Sequence, residues 1–217
     1  MERIYGKEIE EKYNRMSNTF KKVDLSKITI LTGSNGSGKS LIRKQMPFNM
    51  MERMGSTDTS DTKGLIGSTS MDARTSQNPE WGALSSVMND TTWIATSQNT
   101  FSAMKSLFHA VRTHKTYKYI IIDEFEIGCG EETALALSLF INSELEDMLQ
   151  NTQLEGALII THSRIGVSNI NHDDFLNIEG MTKDEWLNRK IIPVDLDELD
   201  ANELFFYIRD LKEVKKK

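Results

Sequence analysis

The stretch KITILTGSNGSGKSLI, residues 27–42, changes character twice along its length. Residues 27–33 form a short β-branched run ending on a glycine, the pattern of a buried strand. Residues 39–54, KSLIRKQMPFNMMERM, carry apolar side chains at helical spacing. Between them Gly33, Ser34, Asn35, Gly36, Ser37, Gly38, Lys39 and Ser40 fit the pattern G-x-x-x-x-G-K-[ST] in the strand–loop–helix setting that gives it meaning. Glycines at these places let the backbone curl so that successive N–H groups point inward, and the helix N-terminus adds partial positive charge to the same spot. Lys39 is then placed to reach β- and γ-phosphates, Ser40 to offer its hydroxyl to Mg²⁺, and Leu41 continues the first turn. A nucleoside triphosphate with Mg²⁺ is the expected ligand.

Such a site needs a carboxylate from a second strand, and residues 117–123, ending in YIIID, supply Asp123 for the metal's water shell. Glu124 follows at the strand's end, where it can polarise a water as a general base, which favours hydrolysis over binding alone. Residues 133–149 read as a helix and GALIITHS, residues 156–163, as another buried strand, with His162 at its end. DFLNIEG, residues 174–180, adds a further strand, and residues 195–217 a helix that opens with acids and closes with lysines. Strands alternating with helices imply an α/β fold with a mostly parallel sheet flanked by helices. Residues 55–70 are nearly all Gly, Ser, Thr, Asp and Lys and read as a mobile surface loop. The methionines at 46, 50, 51 and 54 read as core filling on one helix.

Composition narrows the function classes. The chain of 217 residues carries 26 basic and 32 acidic residues, a formal charge of −6, which argues against a wide basic surface that grips nucleic acid unaided. Lone Cys129 rules out an internal disulfide, and the four histidines lack zinc-site spacing. No apolar run approaches the roughly 18 residues of a membrane span, and the charged N-terminal stretch is unlike a signal peptide. The expectation is one domain over residues 1–217, cytoplasmic and without a membrane.

With GSNGSGKS, IIIDE and IITHS in that order, the chain resembles the ABC-class P-loop ATPases. The segment DEFEIGCGEE resembles the soluble members related to SMC, RecF and phage or defence ATPases, since Phe125 stands where transporter subunits carry proline. The resemblance implies an ABC-type ATPase domain in which Glu124 and His162 are catalytic, His162 as a switch residue toward the γ-phosphate. It makes 127–130 the loop that touches a second subunit in an ATP-dependent head-to-tail homodimer. The tetrapeptide TSQN occurs twice, at 75–78 and 96–99. The first nominates Gln77 as the glutamine that senses Mg²⁺, the second Ser97 as the signature residue that clamps the γ-phosphate from the partner subunit; either copy can be the glutamine loop. No LSGGQ-like segment occurs, and the interval between Gln77 and Ser97 leaves room for about one helix, NPEWGALSSVMND at 78–90, so the helical subdomain is expected to be reduced. Tyr13 stands where adenine stacking is possible, although a surface tyrosine on a helix is the simpler reading.

No nuclease-like acid cluster or second catalytic constellation is visible, so the output of the ATPase cycle is expected from a protein partner such as a nuclease, toxin or other effector, with nucleic acid contacted through that partner. Two rival readings share the loop: the nucleotide-binding subunit of a transporter, which calls for proline after Glu124 and a longer helical insert, and a P-loop kinase, which calls for an arginine-rich lid.

Overall fold

The computed structural model describes residues 7–69 and 96–190. In chain order the elements are α1 (Lys7–Phe20), β1 (Ile28–Thr32), α2 (Lys39–Met54), a 3₁₀ turn (Thr59–Thr62), β2 (Ile66–Thr69), α3 (Thr96–Thr113), β3 (Tyr119–Asp123), α4 (Glu131–Asn151), β4 (Gly156–Ile160), α5 (Arg164–Asn169), β5 (Asp174–Asn177) and α6 (Lys183–Asn188). The five strands form one parallel sheet in the order β2-β3-β4-β1-β5, flanked by helices. The α/β architecture expected from strands alternating with helices is therefore the one observed.

Alternation along the strands divides the core in two. Ile30, Ile120, Ile122, Ala157 and Ile159 face α3, α4, α5 and α6, where they meet Leu107, Phe108, Leu137, Ile141, Val167 and Trp186. Leu31, Tyr119, Ile121, Leu158 and Ile160 face the other way, onto Met16 of α1 and Ile42, Met46 and Met50 of α2. Met46 and Met50 thus fill core as expected, whereas Met54 is exposed at the helix end. Pro47 sits inside α2, removing the N–H that would have bonded the carbonyl of Arg43, yet the helix continues to Met54 because its apolar face is held against the sheet.

The loop expected over residues 55–70 is corrected from 59 onward. Residues 66–69, IGST, are a sheet-edge strand whose pairing with β3 runs from Ile66–Tyr119 to Thr69–Ile122. Its small, polar composition is that of a turn; the hydrogen bonds that make it a strand come from β3, about fifty residues away in sequence. The helix expected to carry Tyr13 is α1, whereas α5 and α6 were not anticipated as elements, although α6 carries a full capping box between Thr182 and Glu185. The helices expected at 78–90 and 195–217 lie outside the described residues, as does Gln77. No helix among the described residues is long and apolar enough to cross a membrane.

Pairing in register brings the C-terminal ends of the strands to one edge. Leu31 of β1 and Asp123 of β3 both stand opposite Ile160 of β4. Beyond that row the chain continues to cross-link: Thr161 N–H donates to the Leu31 carbonyl, Glu124 N–H to that of Ile160, and Ile178 N–H to that of Thr32.

The hydroxyls of Thr29 and Tyr119 are buried in the sheet with no hydrogen-bond partner among the described residues. Tyr119 is the larger of the two, and burial pushes its pKa up so that its hydroxyl stays neutral. An unsatisfied buried hydroxyl costs about 1–3 kcal/mol. Tyr119→Phe should accordingly raise the unfolding free energy by ~1 kcal/mol or more, read from urea denaturation; a loss of stability would mean that the hydroxyl is satisfied.

Candidate functional site

The loop 33–38 leaves β1 and turns into α2 at the parallel-sheet edge where Asp123, Glu124 and His162 also emerge. Gly36 and Gly38 have φ of 73° and 103°, the left-handed region that side chains resist, and Gly38 caps α2 with no side-chain bond to the helix's first amides. Gly33 serves a different need. A Cβ there would lie 2.7 Å from Ser37 Oγ and 3.3 Å from both Glu179 Oε2 and the Ile178 side chain, so only glycine lets the loop pack against the chain leaving β5.

That contact is specific. Ser34 donates its backbone N–H and its hydroxyl to Glu179 Oε1 at 2.8 and 2.7 Å. Sequence reasoning did not nominate Glu179; the available signal was an acid just past the end of a short strand, the arrangement already noted at β3.

Lys39 folds back over the loop, its Nζ donating to the carbonyls of Gly33 and Ser34 at 3.0 and 2.8 Å. It is only 5% exposed, and burial lowers its pKa to about 8, against the pull of Glu124, Glu179, Asp123 and Glu126 in descending order. Four carboxylates from two separate stretches, the ends of β3 and β5, thus share one ammonium's neighbourhood. Ser40 is exposed in the first turn of α2, while Leu41 packs toward the α2 side of the core.

Asp123 ends β3 with its carboxylate against Arg43, Nε to Oδ2 3.2 Å, both side chains largely buried. Glu124 has φ 53°, which makes it the one non-glycine with positive φ among the described residues. Holding a glutamate there costs on the order of 1–2 kcal/mol, and its location at a sheet edge among charged groups is where such strain is expected to serve function. The conformation is secured by the Glu124 N–H bond to Ile160 and by burial of the next side chain, Phe125. It turns the Glu124 carboxylate to His162, Oε1 to Nε2 3.2 Å. Glu126 then ties the two loops together by accepting the His162 backbone N–H at 2.6 Å.

Of the residues nominated from sequence, the loop, Lys39, Asp123, Glu124 and His162 therefore converge on one edge. Ser97 lies elsewhere in the layout, in the first turn of α3, a helix that packs mainly on β2 and α4. Residues 127–130 form a turn before α4 in which Gly128, at φ 72°, and Gly130 are exposed while Ile127 and Cys129 are half-buried.

No family model and no curated protein matches the chain. Among solved structures, it is similar to an ORC2 protein of Aeropyrum pernix determined as ADPNP–ADP complexes, at 14% identity and a TM-score of 0.33, over 78% of this chain and 46% of that one. The chain thus spans just under half the length of that protein.

Burial of the Lys39 charge has a pH signature. An unfolded lysine holds its proton up to the ordinary 10.5, the folded one only to about 8. The cost of burying the charge is therefore fully present below pH 8 and is relieved as pH climbs toward 10.5. Lys39→Met abolishes that cost at every pH. Relative to this variant, wild-type stability should improve by ~2 kcal/mol between pH 7 and pH 9.5, measured by urea unfolding; a difference that does not change with pH would show that the ammonium is well solvated.

Proposed function

We propose that this chain binds ATP on residues 33–40 and hydrolyses it. The observation that carries the reading is the convergence of Lys39, seated over a glycine-rich loop at a helix N-terminus, with a strained Glu124 held against His162. A buried lysine beside a glycine-rich loop at a helix N-terminus suits the phosphates, and a glutamate at the adjoining strand end suits the attacking water.

In this mechanism Glu124 takes a proton from water as the water oxygen bonds to the γ-phosphorus and the bond to the β–γ bridging oxygen breaks, releasing ADP and phosphate. His162, 3.2 Å from Glu124, keeps the carboxylate aimed and offers a hydrogen bond to the transferring group. The divalent ion fits the donors present. Ser40 and Asp123 provide hard oxygens, and no group of three or more His, Cys, Asp or Glu gathers as a metal cage among the described residues, which suits Mg²⁺, an ion usually held through one or two carboxylates, substrate phosphates and water. When bound, Mg²⁺ neutralises charge on the phosphates.

The finer reading is an ABC-type cycle, in which ATP draws two copies head to tail and the closure drives a protein partner such as a nuclease, toxin or other effector. Its support is the placing of GSNGSGKS, IIIDE and IITHS at the C-terminal ends of β1, β3 and β4 of one sheet, together with the exposed Gly128 and Gly130 of the turn 127–130 and the exposed Leu135 and Leu139 on the helix that follows.

Glu124→Gln should keep nucleotide affinity and lose about 10²-fold or more in turnover, followed by phosphate release; Lys39→Ala should instead lose binding of a fluorescent ATP analogue. Wild-type turnover in Glu124→Gln would remove the base from its assigned role. For the dimer, light scattering of Glu124→Gln should show a higher mass with saturating ATP and Mg²⁺ than without. A mass that stays monomeric counts against the ABC-type closure and leaves the hydrolytic reading standing.

A further inference from the structure

Asp123 is the acid assigned to the metal, yet in this structure its carboxylate already faces a cation. Arg43 lies one helical turn beyond Lys39 on α2, and its Nε stands 3.2 Å from Asp123 Oδ2. The two side chains are 14% and 7% exposed, so the pair is screened by little water. Neither its position nor its spacing is required by the G-x-x-x-x-G-K-[ST] pattern, which ends at Ser40.

A carboxylate this deeply placed needs a nearby positive charge, and taking away one member of such a pair leaves the other uncompensated. A divalent ion arriving beside Asp123 brings the same sign of charge to the same oxygens. Arginine and metal then repel one another while sharing one acid, an effect that is strong where water is scarce.

We infer that Arg43 is a positioning residue that supplies the counter-charge of Asp123 in the metal-free protein and thereby weakens the site's hold on the divalent ion, so that the ion enters only with the phosphates of a nucleotide. The inference rests on the nucleotide reading above. It assigns a regulatory consequence to that site: free Mg²⁺ alone does not load it, because Arg43 already occupies the acid that would draw it in.

The test is a Mg²⁺ titration of melting temperature at fixed ADP. Arg43→Gln keeps a hydrogen-bond donor but removes the charge, and should lower the Mg²⁺ midpoint at least threefold. Arg43→Lys keeps the charge and should stay within twofold of wild type. A midpoint for Arg43→Gln that is unchanged or higher overturns the inference and makes the pair a structural one. The wild-type protein gives a second measurement, independent of whether Arg43→Gln folds. The ¹⁵Nε–¹H signal of Arg43 should move when Mg²⁺ and ADP are added together, and not with Mg²⁺ alone; no movement with both, in protein that ADP and Mg²⁺ stabilise, also overturns it. A wild type whose melting temperature ignores ADP and Mg²⁺ altogether overturns the nucleotide reading and this inference with it, an outcome distinct from failure of Arg43 alone.

Discussion

Lys39 carries a charge into a place that water barely reaches, and much of the sheet edge is arranged about that charge. Two loop carbonyls accept its protons directly, and carboxylates from the ends of β3 and β5 stand near enough to favour the charged form. Burial still outweighs them, since its pKa falls to about 8. The lysine is thus under-compensated by the protein itself. A polyanion at the same loop would supply what is missing, which is the physical content of the phosphate-binding proposal.

Bringing those carboxylates together is work done by parallel pairing. β1 lies between β4 and β5, and β3 lies beside β4, so the segments leaving these strands must emerge side by side. Backbone bonds beyond the last paired residues then lock the exits: Glu124 onto Ile160, Thr161 onto Leu31, Ile178 onto Thr32. The two apolar clusters on either face keep the strands from sliding, because a one-residue slip would turn Ile120 and Ile122 to the side that Tyr119 and Ile121 occupy.

Against this rigid edge, individual side chains are held by short polar contacts. Glu124 sits in a left-handed backbone conformation that relaxed glutamates avoid, and Glu126 binds the His162 amide, so the acid and the histidine keep their mutual aim through the backbone of both loops. Glu179 does the same for the start of the glycine loop through Ser34. Three glutamates are therefore used in two ways: one faces the reaction proposed here, and two hold the loops that present it.

The sequence by itself determined what is local. The run into Gly33, the glycine spacing, the helix from Lys39 and the acid pair closing an isoleucine strand are periodicities and turn requirements that short stretches of chain carry within themselves, and the parallel α/β class follows from their alternation. Tertiary structure decided the rest. IGST became a strand only because β3 offers it hydrogen bonds, and Glu179 reached Ser34 across 145 positions of sequence only because β5 pairs with β1. The Arg43–Asp123 pair depends likewise on α2 lying over the sheet near the end of β3. Which strands are neighbours depends on the free energy of the whole packed core, and no window of one sequence contains that quantity.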